Sequence, residues 1–270
     1  MRRPLRQSRR GLPLRAVAPN AVTALALCFG LTGIRYAISA DWEAAVAMIM
    51  IAAVLDGLDG TVARLVRGES RFGAELDSLS DAISFGVSPA IILYLWSLKD
   101  VPRVGWLCAL VFAVFCALRL ARFNANIDVR EQPHKSAGFL TGAPAPAGAA
   151  LAMLPMYVSF WSAQTWLRSP VVVIPWVAAI AILMISSVAT FSWSSLKLRD
   201  HIRFEAIAVV VLLGASLISA PWYTLSALCV AYLATLPFSI RSYRRVKRLR
   251  EAMPTGPVAP GVLASAPGDH

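Results

Sequence analysis

The sequence is poor in charge. Asp, Glu, Lys and Arg make up 15% of its 270 residues, against about 25% in soluble globular domains. The shortage falls mainly on one sign, with 15 acidic residues against 26 basic ones and a formal charge of +11. A disordered chain needs low hydrophobicity and abundant charge, and an ordinary soluble enzyme needs a charged surface, so both are excluded. Histidine occurs only three times, and the four cysteines (Cys28, Cys108, Cys116 and Cys229) sit inside apolar runs with no CxxC pair. That excludes a disulfide-stapled secreted module and a zinc site of paired thiolates. The thiols read as small buried or lipid-facing side chains. Alternation of apolar and polar residues with period two is missing as well, which excludes a membrane β-barrel.

Long apolar runs take the place of what is missing. Hydrophobic residues reach 57%, and the mean hydropathy is +0.62. Eight stretches stand out, near 21–40, 42–63, 78–98, 102–121, 141–162, 171–190, 204–219 and 222–240. A helix needs about 20 residues to cross about 30 Å of hydrocarbon, and a helix satisfies its backbone groups internally. The expected fold class is therefore an all-α integral membrane protein with about eight transmembrane helices. Residues 1–17 read as a basic arm on the membrane surface, 18–250 as one membrane domain, and 251–270, rich in Pro, Gly and Ala, as a disordered tail.

The basic residues set an orientation. With the N terminus in the cytosol, 22 of the 26 Lys and Arg fall in the arm, in the loops after the second, fourth and sixth stretches, or from Arg241 onward; only Arg35, Lys99, Arg103 and Arg168 fall opposite. Both termini are expected inside the cell, beside an anionic leaflet of the cytoplasmic membrane. This distribution accounts for the basic excess without a nucleic acid partner. The first forty residues also have the outline of a signal peptide, ending Ala37-Ile38-Ser39-Ala40. The apolar run is long for one, and the exported product would itself be membrane-embedded.

The segment from Asp56 to Asp81 puts acids where lipid should be. Asp56 and Asp59 fall in the cytosolic half of the second stretch, Asp77 and Asp81 at the cytosolic start of the third. An Asp near the centre of a membrane helix costs about 2.5–3.5 kcal/mol, less toward the interface. Residues three or four apart share a helix face, so each pair faces one way. A short basic loop makes the two helices antiparallel neighbours, and both pairs can converge near the cytosolic boundary. Carboxylates that close repel unless cations lie between them. Hard oxygen donors without His or Cys select Mg2+ or Mn2+ over Zn2+. Two such ions on shared carboxylates suit in-line displacement at phosphorus. Arg64, with Arg67 or Arg71, can clamp phosphates, and Ser70 can donate a hydrogen bond. Gly60, Ala63 and Gly73 let a ligand approach the backbone. A structural ion-pair cluster and a cation-coupled transporter are the alternatives. A transporter would be expected to place its acids near the midplane among broken helices, whereas these gather toward one face.

The pattern D-x2-D-G-x2-A-R-x8-G-x3-D-x3-D is met without a gap by Asp56, Asp59, Gly60, Ala63, Arg64, Gly73, Asp77 and Asp81. It resembles the signature of the CDP-alcohol phosphatidyltransferases. The resemblance implies a helical membrane enzyme, usually a homodimer, that uses divalent ions to displace CMP from a CDP-lipid with an alcohol. It implies that Asp56, Asp59 and Asp77 bind metal, and that Asp81 joins the metal site and acts as general base. Gly60, Arg64 and Ser70 match positions that hold the cytidine diphosphate, with Gly73 beside them.

Further motifs bear on the alcohol: Ser84-Phe85-Gly86-Val87-Ser88-Pro89-Ala90, the run Ala117 to Asn124, the run Gly138 to Ala147, and Thr190-Phe191-Ser192 with Lys197. Together they resemble the phosphatidylserine synthase branch of the family, which implies CDP-diacylglycerol as donor and L-serine as acceptor. The resemblance covers residues 17–240. Arg119 and Arg122, three apart, suit a carboxylate or phosphate, and equally a membrane anchor. Asn124 reads as a helix cap or a substrate contact, Lys197 as a lipid-phosphate contact or a topology charge. Glycerol 3-phosphate or an inositol compound remains open as acceptor. Pro19-Asn20 reads as the start of the first helix in preference to a nucleotide contact. Pro144, Pro146 and Pro155 are expected to open or bend the fifth, Gly138-x3-Gly142 to allow close packing, and the lone His134 to be solvated. Trp42 and Trp222 read as interfacial anchors.

Overall fold

Apolar runs with few breakers fold as helices, and the computed structural model describes residues 14–65, 70–125, 139–141, 143–186, 189–191 and 203–251. Within them lie α1 (Leu14–Ile38), α2 (Trp42–Leu65), α3 (Arg71–Asp81), α4 (Ser88–Ser97), α5 (Pro102–Ala125), α6 (Ala145–Ala152), α7 (Leu154–Ser162), α8 (Pro170–Ile185), α9 (Arg203–Ser219) and α10 (Pro221–Glu251). A π-helical segment, Ala82–Val87, joins α3 to α4. Among the described residues four helical spans are long and apolar enough to cross a membrane: Val17–Ile38, Trp42–Leu65, Arg71–Asp100 and Pro102–Ala125. Pro170–Ile185 and Pro221–Leu236 are apolar but shorter. The molecule is a helical membrane protein. Exposed apolar side chains such as Leu58, Leu107, Val171 and Ile218 form the outer surface that a bilayer covers.

Several boundaries differ from the hydropathy reading. The third span begins at Arg71, well before residue 78, because its first turns are amphipathic. Ser70 caps them, its Oγ accepting the Gly73 N–H at 3.0 Å. Gly73 and Asp77 are thus helical. The first helix begins at Leu14, inside the expected arm, and carries Pro19 in its interior, so Pro19-Asn20 does not start it.

The fifth stretch is broken. Phe139–Thr141 pairs antiparallel with Ala189–Phe191, Leu140 opposite Thr190, a short ribbon among the helices of the described residues. The helix resumes at Ala145 after Pro144, and the chain turns at Met153 between α6 and α7. Pro155 has no N–H for the Leu151 carbonyl one turn back. The Trp176 indole of α8 donates to that carbonyl at 2.8 Å, so the bend leaves no acceptor stranded.

Helix α1 lies antiparallel along α2 and parallel to α3 and α4. Gly33 packs on Ala45 and Ile49, and a Cβ at Gly30 would fall 2.5 Å from Ser84 Oγ. Close approach there requires glycine. Helix α5 packs on α8, α4 and the π segment, and α10 on α7. The core between them holds Phe85, Ile92, Leu93, Phe112, Tyr157 and Met184. Cys108, Cys116 and Cys229 are buried and Cys28 is exposed, all as free thiols.

Candidate active site

Helix α2 presents Asp56 and Asp59, and α3 presents Asp77 and Asp81. One carboxylate oxygen from each of Asp56, Asp59 and Asp77 lies within 4.8 Å of the other two. Asp81 stands within hydrogen-bonding range of Asp56, and its Oδ1 is buried with no partner. The convergence expected from the spacing is present, but its scaffold differs. Helices α2 and α3 touch one another far less than each touches α1, which lies between them. The acids meet across a gap floored by α1.

That gap opens into a cleft of about 460 Å3. Pro19, Asn20 and Thr23 of α1 form its floor. Asp59, Gly60, Ala63 and Arg64 form one wall; Ser70, Gly73, Ala74 and Asp77 form the other. Gly60, Arg64, Ser70 and Gly73, expected together from the motif, all line it. Glycine at 73 is required, since a Cβ would fall 2.7 Å from Asn20 Oδ1 and 3.1 Å from Ser70 Oγ. At Gly60, among the described residues, no atom beyond its own stretch of helix lies within 4 Å of a Cβ, so packing leaves that space free. The Arg64 side chain is exposed and folds back, Nε donating to the Gly60 carbonyl at 3.2 Å. Arg71 is exposed, and Arg67 lies outside the described residues.

The end of α5 forms the neighbouring side. Arg119 lies close enough to Asp81 and Tyr232 for charge interaction, and its Nε is buried without a hydrogen bond. Arg122 donates from Nη1 to the Ile185 carbonyl at 3.3 Å, at the C-terminal end of α8. Asn124 donates from Nδ2 to Ser78 Oγ at 2.8 Å, tying α5 to the turn between Asp77 and Asp81. Lys197, His134 and Ser192 lie outside the described residues.

The donor set fits a hard divalent cation. It is all carboxylate oxygen, without His or Cys, and Asp81 adds a buried oxygen that nothing else engages. Sequence reasoning missed Thr23, whose hydroxyl lies 2.6 Å from Asp59 Oδ2. It preferred a helix start for Asn20 over a nucleotide contact, and Asn20 lines the cleft. Neither residue belongs to the spaced acid pattern, and nothing local marks Thr23.

The chain matches the family model described as CDP-alcohol phosphatidyltransferase over residues 16–191, and a second, CDP-alcohol phosphatidyltransferase 2, over residues 201–237. It belongs to the CDP-alcohol phosphatidyltransferase family and is an enzyme of that type. It is similar to the CDP-diacylglycerol–serine O-phosphatidyltransferase of Mycobacterium bovis, 39% identical over 243 residues, covering 88% of this chain and 82% of that one. The protein of that description from Mycobacterium leprae is 38% identical, over 88% of this chain and 79% of its own. The one from Helicobacter pylori is 40% identical over 136 residues, 50% of this chain and 55% of its own.

Proposed function

We propose that the protein transfers the phosphatidyl group of CDP-diacylglycerol to the hydroxyl of L-serine, giving phosphatidylserine and CMP. The observation that carries this reading is the meeting of Asp56, Asp59 and Asp77 within 4.8 Å beside the cleft. Serine as acceptor is supported by the relatives' names.

Asp56, Asp59, Asp77 and Asp81 would hold two divalent ions, Mg2+ or Mn2+, and these would supply positive charge against the diphosphate and the departing CMP. Gly60, Arg64, Ser70 and Gly73 receive the cytidine diphosphate, Arg64 through its phosphates. Asp81 takes the proton of the serine hydroxyl through the carboxylate oxygen that it does not give to an ion. The serine oxygen forms a bond to the phosphorus that carries diacylglycerol. The bond from that phosphorus to the CMP oxygen breaks in line with it. Arg119, beside Asp81, faces the serine carboxylate. Asn124 and Arg122 hold the same side of the site through Ser78 and Ile185.

The basic distribution supports eight crossings with both termini and the cleft facing the cytosol. The active form is a homodimer, as the family resemblance implies. The lipid donor enters from the bilayer with its tails in hydrocarbon. The test is purified protein with CDP-diacylglycerol, Mn2+ or Mg2+ and labelled serine, with the lipid products separated. Labelled phosphatidylserine in equal amount to CMP is expected. CMP release with glycerol 3-phosphate or an inositol compound, but not serine, would overturn the acceptor. No CMP with any alcohol, together with ion movement across liposomes, would overturn the enzyme reading.

A further inference from the structure

Thr23 of α1 touches both acid-bearing helices. Its hydroxyl lies 2.6 Å from Asp59 Oδ2 on α2, and its carbonyl accepts a hydrogen bond from Ser80 Oγ on α3 at 3.2 Å. All three residues are buried, Thr23 and Asp59 at 5% exposure and Ser80 at 3%. The Thr23 hydroxyl also lies 3.1 Å from the Pro19 carbonyl. It has one proton to give, and the carboxylate is both nearer and the stronger acceptor.

We propose that Thr23 is a positioning residue for the acid cluster. It fixes the orientation of the Asp59 carboxyl and the separation of α2 from α3, so that the ligand oxygens are set before a divalent cation binds. The proposal rests on reading the cluster as a cation site. Helices α2 and α3 scarcely pack on one another, so direct contact does not fix the distance between their acids. A free Asp carboxyl turns broadly about its last torsion, and repulsion from Asp56 and Asp77 would swing it away. A hydrogen bond to one oxygen removes that freedom. Ser80, three residues beyond Asp77 and one before Asp81, anchors the same threonine to the other wall.

Outer hydrogen-bond partners of metal ligands are typically worth about 10–100-fold in metal affinity. The experiment is titration of the purified full-length protein with Mn2+ alone, free ion being read by its paramagnetic resonance. Thr23→Val keeps the shape and loses the hydroxyl, and its Kd for Mn2+ is expected to rise about 10–100-fold. Thr23→Ser keeps the hydroxyl and is expected within about threefold of the parent protein, since the retained donor can still hold Asp59. A Thr23→Val protein with the parent Kd, or a Thr23→Ser protein as weak as Thr23→Val, would overturn the role. If Thr23→Val does not fold, Ser80→Ala decides: a Kd raised at least about threefold supports the clasp, and an unchanged Kd removes it. No CDP-lipid or alcohol enters this titration. A parent protein that binds Mn2+ yet releases no CMP would sink the proposed reaction and leave Thr23 in place. An unaffected Thr23→Val titration would do the reverse.

Discussion

The two ends of the helical bundle treat their polar groups in opposite ways. At the end away from the cleft, Arg168 is exposed, yet its polar groups are engaged. Its Nε donates to the Trp96 carbonyl at 2.5 Å, its guanidinium lies 5.6 Å from the centre of the Trp42 ring, and its own carbonyl accepts Ser97 Oγ at 2.7 Å. At the cleft end Asn20 Nδ2, Asp81 Oδ1 and Arg119 Nε are buried with no hydrogen-bond partner. An unmet buried polar atom costs about 1–3 kcal/mol. Three such atoms gathered around one group of carboxylates mark a place that a ligand completes, whereas the satisfied contacts around Arg168 hold helices together.

The sharpest way to break this contrast is at Asp81. Asp81→Asn keeps the shape of the open site but removes the proton acceptor. CMP release should fall by about 10²–10⁴-fold, with CDP-lipid binding partly kept and the melting temperature preserved. Turnover at the parent rate would take Asp81 out of the base role. A smaller effect is expected at Arg64, which is exposed and donates to the Gly60 carbonyl of its own helix. Arg64→Gln loses a charged partner for the diphosphate, worth about 1.5–3 kcal/mol, and should raise KM for CDP-lipid by about 10–100-fold with kcat little changed. A fall in kcat at constant KM would contradict phosphate binding. The smallest effect on activity belongs to the closed kind of contact. Trp176→Phe strands the Leu151 carbonyl at the Pro155 bend and should cost about 1–3 kcal/mol of stability in a melting experiment. Turnover per folded molecule should be unchanged, and a loss of turnover without a loss of stability would show the bend to be part of the site.

Much of the site was legible because its residues follow a helical period. Asp56 with Asp59, and Asp77 with Asp81, announce shared faces by spacing alone, and the motif brought Gly60, Arg64, Ser70 and Gly73 to one cleft. The floor was not legible. Thr23 reaches Asp59 across 36 positions, and Ser80 reaches Thr23 across 57; no local period records such a contact. A threonine in an apolar helix reads the same whether it bonds its own preceding turn or a distant acid. Hydropathy also put the third span too late, because the Ser70 cap and the polar turns around Asp77 dilute the apolar signal although they are helical. The π segment at Ala82–Val87 and the ribbon of Phe139–Thr141 on Ala189–Phe191 have no apolar period that separates them from helix. Pro155 was expected to bend its helix, and it does, but its compensation by Trp176 lies in a different helix.

The central claim is that acids from α2 and α3 share divalent cations, and Mn2+ binding to the Asp59→Asn/Asp77→Asn protein tests it most directly. The account predicts that the parent protein takes up two Mn2+ per chain and that the double variant, still folded by its melting curve, takes up none in the same range. A folded double variant that binds Mn2+ as the parent does would contradict it.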